Sequence, residues 1–172
     1  KKDVYDFFKT GVLNTESNVQ FGEGGAGTFS DGKLTTGTHN VRIKKVITEF
    51  IEAGGGEELA YMSKPHVGTD RLIGILRNMR KKIESLGGEY RFQNKLTSIK
   101  HSDGKLQSIK VSGPEGEYSI ETDYLILAVG HSARDTFYML NEKKVEMQQK
   151  PFSVGVRIEH KQDMINKSQY GK

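Results

Sequence analysis

Cysteine is absent from the 172 residues, and so is any long apolar run. Without cysteine the chain has no disulfides, no thiolate metal ligands and no cysteine nucleophile, and this usage favours a reducing compartment. No run approaches the ~18–20 apolar residues that a membrane span requires, and no apolar stretch near the first residue, a lysine, indicates a signal peptide. We therefore expect a cytoplasmic protein without a membrane partner.

A strong charge of one sign is also missing. The chain has 26 basic and 22 acidic residues, a net charge of +4, and an isoelectric point near 9.1. The excess is spread in Lys-Lys pairs along the chain, whereas proteins that bind nucleic acids concentrate it on one face or strand. The basic residues are therefore predicted to be solvated helix faces, and no nucleic-acid partner is expected.

Apolar spacing and turn residues predict a mixed α/β chain. Apolar positions at helical spacing, closed by glycines or opened by capping residues, predict helices over 3–10, 41–51, 70–86 and 133–140. Short strands are predicted over 58–62 and 89–92. The near-repeat "KLTSIK" and "KLQSIK" around Asp103-Gly104 predicts a hairpin, extended by a third strand at 118–121 into an antiparallel meander.

Residues 124–131 form a second glycine segment, "YLILAVGH". Its six apolar residues run without alternation, which is typical of a strand buried on both faces of a parallel sheet, and the run stops at Gly130. Ligands of open α/β sheets bind beyond the carboxyl ends of the strands, so Gly130 and His131 are candidate ligand contacts. Beyond Pro151, the alternation of residues 152–158 predicts a half-exposed strand.

The first glycine segment is "FGEGGAGTFSDGKL", residues 21–34. Closely spaced glycines allow positive φ and an array of N–H groups that can bind an anion. Gly22, Gly24 and Gly27 match G-x-G-x-x-G letter for letter, but no strand precedes them and no amphipathic helix follows, as that motif requires. From the residues alone, a ligand-binding loop and a merely tight turn both remain open.

Metal binding and nucleophilic catalysis receive little support from the spacing of the residues. The five histidines lie far apart, without a second ligand two to four positions away, so no metal site is predicted. Ser30, Asp31 and His131 could form a triad only if the fold brought them together, and no G-x-S-x-G is present. No catalytic residue is assigned.

Four stretches, in order, carry a resemblance to a known family. They are "FGEGGAGTFSDGKLTT", "GTDRLIGILRNMRKKIESLGGEYRF", "LILAVGHSARDTFYML" and "KPFSVGVRIEH". Together they resemble the bacterial FAD-dependent dehydrogenase-like flavoproteins, catalogued as NAD/FAD-utilising dehydrogenases of the two-dinucleotide-binding-domain superfamily. The similarity covers nearly the whole chain.

The resemblance implies an α/β fold of the FAD/NAD(P)-binding type, present in part. Expected are a short parallel sheet with helices and a three-stranded antiparallel β-meander over 95–121. Residues 1–172 would form a single incomplete FAD-binding-type domain, with the start of a substrate-domain segment at 151–172. The family's N-terminal nucleotide-binding βαβ unit, which holds the pyrophosphate at a helix N-terminus, has no counterpart, so an internal fragment is expected.

The resemblance also implies which residues line the cofactor. The first glycine segment would run past the flavin, the backbone of Leu96 would meet the adenine, and the second glycine segment would close on the cofactor, with His131 at its edge. The implied cofactor-binding residues are Gly24, Gly25, Ala26, Gly27, Thr28, Ser30, Asp31, Lys33, Leu96, Ala128, Val129, Gly130 and His131.

The expected function is therefore part of an FAD-dependent oxidoreductase that acts on an unknown small-molecule substrate. NADH or NADPH would be the electron donor, and the resemblance does not choose between them. Because the pyrophosphate half of the site is missing, the fragment alone is expected to bind FAD weakly or not at all and to be inactive. The alternative is a non-catalytic ligand- or RNA-binding module on the same scaffold.

Overall fold

Helices and one small antiparallel sheet make up the regular structure of the chain. The computed structural model describes residues 2–25, 28 and 32–171. Its α-helices are α1 (Lys2–Thr10), α2 (Ile43–Phe50), α3 (Thr69–Ser85), α4 (Arg134–Glu142) and α5 (Gln162–Tyr170), and its strands are β1 (Lys95–Ser102), β2 (Lys105–Gly113) and β3 (Gly116–Glu121). A π-helical turn (Ile51–Gly55) and a 3₁₀ turn (Glu57–Ala60) follow α2.

The main core lies between α3 and the turns that follow α2. Its buried members are Ala53, Leu59, Val67, Leu72 and Ile75. Of the apolar face predicted for α3, Leu72 is buried and Leu76 and Met79 pack against the cluster, because residues three or four apart share one side of a helix. The far end of that predicted face, Ile83 and Leu86, is exposed, and Ile75, which was not predicted, is buried instead. Helices α1, α2, α3 and α4 confirm the helices predicted from the sequence, within a few residues at each end.

The strand predicted over 58–62 is wrong. Leu59 is 2% exposed whereas Tyr61 is 78% exposed, yet residues two apart in a strand lie on the same face. Leu59 lies within the 3₁₀ turn and enters the core, whereas Tyr61 follows the turn and stays in water. Residues 89–92 likewise form no strand and lead through a turn into β1.

The predicted β-meander is confirmed. Asp103 and Gly104 both have positive φ, 53° and 74°, which is the conformation of the two-residue turns that suit the twist of a hairpin. Strand β2 pairs antiparallel with both β1 and β3. Ile99, Ile109 and Ile120 are opposite one another across the three strands, and such cross-strand apolar rows stabilise a sheet.

Helix α4 packs against β1. Ile99 on the strand is buried, as are Ala133 just before the helix and Leu140 within it. The His101 ring also hydrogen-bonds through Nε2 to the carbonyl oxygen of Lys143 at 2.8 Å. The residues after the second glycine segment are therefore fixed to the meander.

The two remaining predicted strands are not formed in the described part of the chain. Residues 124–129 and 152–158 have no regular secondary structure and belong to no sheet there, and Tyr124 and Ile126 are 88% and 92% exposed. A strand needs a neighbour to bond its N–H and C=O groups, and no described segment pairs with either stretch. The mixed α/β class is confirmed, but the described residues form no parallel sheet.

Candidate functional site

The described half of the first glycine segment is a tight turn. Gly22, Gly24 and Gly25 have positive φ of 104°, 82° and 46°, and the N–H of Gly25 donates to the carbonyl oxygen of Gly22 at 3.1 Å. The Thr28 hydroxyl donates to the carbonyl oxygen of Gly25 at 2.9 Å. These glycines are needed because L-residues rarely adopt such backbone angles.

Helix α3 holds this turn from one side. A methyl group added at Gly24 would overlap the Leu76 side chain, so the turn lies directly against the helix. Glu23 forms an ion pair with Arg80 at 3.4 Å, and the Arg80 guanidinium lies 5.4 Å from the centre of the Phe92 ring, within the range of a cation–π contact. The turn is thereby connected to the segment that enters β1.

The far end of the first glycine segment is fixed by a short antiparallel pairing. Lys33 lies opposite His66, the N–H of Val67 donates to Gly32 at 3.0 Å, and the N–H of Leu34 donates to Pro65 at 2.9 Å. Gly32 has a φ of 59°, and a methyl group there would overlap the Val67 carbonyl. Only glycine fits this position without a backbone shift.

The second glycine segment lies open to solvent. Gly130 has a φ of 73°, and a methyl group added there would meet nothing within 4 Å. Ala128 and His131 are exposed and Val129 is half-buried. The His131 Nε2 lies 3.5 Å from the Ser132 hydroxyl, a distance too long for a strong hydrogen bond. The backbone around Gly130 is therefore accessible to a ligand.

Lys95, the first residue of β1, joins the flanks of both glycine segments. Its Nζ lies 2.9 Å from a carboxylate oxygen of Glu16 and 2.7 Å from one of Asp135. The hydrogen bond to Asp135, then that to Glu16, raises the pKa of Lys95, and Lys95 in turn lowers the pKa of Asp135. Leu96 follows directly, half-buried and opposite Val111 on β2.

The structure therefore brings some of the predicted site residues together and leaves others apart. Gly24, Gly25 and Thr28 share one turn, and Leu96 is next to the lysine that ties both flanks together. No hydrogen bond or ion pair joins residues 22–25 directly to residues 128–131, all of which are described. The predicted residues that lie outside the described ones are Ala26, Gly27, Ser30 and Asp31.

The basic residues of α3 largely face acidic partners. Arg71 pairs with Glu58 at 2.9 Å, and Lys82 pairs with Glu49 at 3.0 Å and Glu52 at 2.7 Å. The hydrogen bonds to Glu52 and Glu49 raise the pKa of Lys82. These pairs connect α3 to the end of α2 and to the turns beyond it.

The described residues hold neither a clustered set of metal ligands nor a membrane-spanning helix. No group of three or more His, Asp or Glu side chains there is arranged to hold a metal ion. In the same part of the chain, every helix is too short or too polar to cross a membrane.

Sequence reasoning missed Lys95 and Gly32. Neither stands in a local motif with its partners, because Glu16 and Asp135 are 79 and 40 positions from Lys95 and Val67 is 35 from Gly32. The only local signal was the glycine in "SDGKL". Gly32 adopts a positive φ there, and its carbonyl oxygen accepts a hydrogen bond from the distant Val67.

Comparison with known proteins gives one long match. No protein-family model matches the chain. An uncharacterized protein of Clostridium beijerinckii is 54% identical over 168 residues, which cover 98% of this chain and 31% of that protein. The chain therefore spans about a third of the length of the curated relative that it matches.

Proposed function

We propose that this chain carries the flavin side of the cofactor site of an FAD-dependent oxidoreductase. The observation that carries the proposal is the Lys95 ammonium, bonded at once to Glu16 and Asp135. Glu16 precedes the first glycine segment and Asp135 follows the second, so one cation tethers both candidate cofactor loops to the start of the meander. Two of the four stretches that carry the resemblance in sequence cover these two glycine segments.

The backbone geometry supports a ligand at the second glycine segment. The open space at Gly130 suits a flat ligand approaching bare backbone, whereas the lack of a side chain at Gly24 is already explained by its contact with Leu76. Ala128 and Val129 would supply apolar contacts to the ring system, and the Gly22–Gly25 turn would approach it from the other loop. The residues present fit one side of a flavin.

The protein and the cofactor would have the same separate roles as in other cofactor enzymes. FAD supplies the electron-transfer chemistry when bound, while the protein supplies binding, orientation and electrostatics. In this chain the turn at 22–25 and the backbone at 128–130 would orient the ring, and His131 would stand at its exposed edge. Binding of the pyrophosphate requires N–H groups that the described loops do not offer in an array at a helix N-terminus.

The finer fold is part of the same proposal. Residues 124–129 would be a buried strand of a parallel sheet, which matches their unbroken apolar character and their lack of a partner in the described chain. The additional strands would come from the regions that the Clostridium beijerinckii relative has beyond the matched third of its length.

Visible spectroscopy tests the proposal. The full-length protein that carries this chain and the 172-residue chain alone are purified and their absorption spectra recorded, followed by titration with FAD. The full-length protein should retain flavin and show its visible bands, and the chain alone should show no retention at micromolar FAD. A full-length protein that shows no flavin bands as purified and does not bind added FAD would refute the cofactor assignment.

A further inference from the structure

A concave site that begins at Leu34, the last residue of the first glycine segment, lies between three parts of the chain. Residues 34–39, helix α2 with the turn after it, and residues 59–65 enclose a cleft of about 500 Å³. This volume is within the usual range for small-molecule sites, about 300–1,000 Å³. None of the residues in the cleft belongs to the flavin-side residues proposed above.

The floor of the cleft is the outer side of the main core. Leu34, Ile47 and Ile51 line it and also pack against the buried cluster, and Leu59, a member of that cluster, lines it as well. Because these side chains are held by core contacts on one side, the apolar floor is already formed without a ligand. An apolar molecular body would be desolvated there.

The rim is polar and has no acidic residue among the described residues that line it. Lys44 and His39 line the cleft together with hydroxyl groups. Lys45, the next residue, is ion-paired with Glu49, whereas Lys44 forms no ion pair with any described residue. An unpaired cation above an apolar floor is complementary to a ligand that carries one negative charge.

Hydroxyl groups on the rim add hydrogen-bond donors. The Thr36 and Thr38 hydroxyls bond to each other at 3.1 Å, and the Thr48 hydroxyl donates to the Lys44 carbonyl. Ser63 and Thr35 also line the cleft and have no hydrogen bond from their hydroxyls to a described residue. They remain available to a carboxylate oxygen.

We propose that this cleft binds a small monocarboxylic acid of on the order of 12–20 heavy atoms in all, with an aryl or alkyl body. The apolar body lies on Leu34, Ile47 and Leu59, and the carboxylate meets Lys44 with help from Ser63. A single cation favours a carboxylate over a phosphate, since phosphates carry close to two charges and are usually met by several donors. The site does not depend on the flavin proposal.

Binding of 4-phenylbutyrate to the 172-residue chain tests the site, with neutral 4-phenylbutanamide as the matched ligand. Methyl NMR spectra should show saturable shifts at Ile47, Leu59 and Met62, with the acid binding more tightly than the amide. Lys44→Gln should weaken the acid about tenfold, as expected for a charge-assisted hydrogen bond, and should leave the amide unchanged.

Two variants complete the design. Lys45→Gln, which removes the neighbouring ion-paired lysine, should leave both affinities unchanged. Ala60→Phe, which fills the cleft from its exposed rim, should weaken the binding of both ligands.

The proposal is overturned if acid and amide bind equally and Lys44→Gln changes neither affinity. It is also overturned if millimolar acid gives no saturable shift, or if the shifts fall on residues 124–127 and 152–158 instead. Neither readout involves FAD, so failure here leaves the flavin proposal intact.

Discussion

At the scale of single residues, the glycines of this chain serve different purposes. Gly32 is required by its own neighbours, because a side chain would overlap the Val67 carbonyl, and Gly24 lies against Leu76. Gly130 has no such neighbour, although its backbone adopts a positive φ. A glycine that nothing in the described chain requires for packing is the better candidate for a ligand contact.

We therefore expect the full-length protein with Gly130→Leu to lose most of its bound flavin. The matched control is Gly11→Leu, because Gly11 has a φ of 74° against 73° for Gly130 and is equally open. Both variants strain the backbone to the same degree, about 1–2 kcal/mol, so a difference between them reports the ligand. The ratio of flavin to protein absorbance measures it. Equal flavin content in both variants would contradict a role for Gly130 in binding.

At the scale of elements, Lys95 connects pieces that are distant in sequence. It bonds Glu16 ahead of the first glycine segment and Asp135 in the first turn of α4. Because these side chains are about half exposed, their ion pairs stabilise the fold only slightly, by less than about 1 kcal/mol each. The role of these ion pairs is to fix the positions of Glu16 and Asp135 relative to β1 more than to raise the stability of the fold.

The Lys95–Asp135 pair should make the attachment of α4 sensitive to acid. Lys95 lowers the pKa of Asp135 in the folded state, so the stabilisation is present above the unfolded pKa of about 3.9 and is lost as pH falls through the folded value. The protection of the α4 amides, that is, their exchange rate relative to the intrinsic rate at each pH, should fall in the unmodified chain between pH 6 and about pH 3.

Asp135→Asn provides the comparison for this titration. The variant should exchange faster already at pH 6, and its extra loss of protection in acid should be smaller. Glu117→Gln is the matched control, since it removes an acid paired with Lys110 within the sheet at 2.8 Å and should not affect α4. An unchanged acid response in Asp135→Asn would show that the pair does not hold the helix.

Elements whose partners are close in sequence were predictable, and those with distant partners were not. The hairpin around Asp103-Gly104 and the apolar face of α3 follow from patterns within about twenty residues, and both are present. The segment 124–129 has the apolar character of a buried strand, but a strand exists only with a neighbour. The candidate site was predicted only as separate loops, because Lys95 joins them over 79 and 40 positions.

At the scale of the whole molecule, the chain exposes an unusual amount of surface. Its accessible area is 14566 Å², whereas a compact monomer of 19.3 kDa would expose about 8,500 Å². Part of the large apolar exposure lies in the second glycine segment and in residues 152–158, where Phe152, Val154 and Val156 are all exposed. Contiguous exposed apolar residues usually mark a surface that another part of a protein covers.

Hydrogen exchange should reveal whether these two stretches become strands when more of the protein is present. In the 172-residue chain, the amides of 124–129 and 152–158 have no sheet partner in the described structure and should exchange as fast as those of a loop. In the full-length protein they should be protected by at least a hundredfold, as expected when strand hydrogen bonds form in a core. Strand β2, paired on both sides here, is the internal control and should be protected in both samples. Fast exchange of 124–129 in a full-length protein whose β2 is protected would show that this apolar stretch is not a core strand, and the proposed flavin-binding sheet would fail with it.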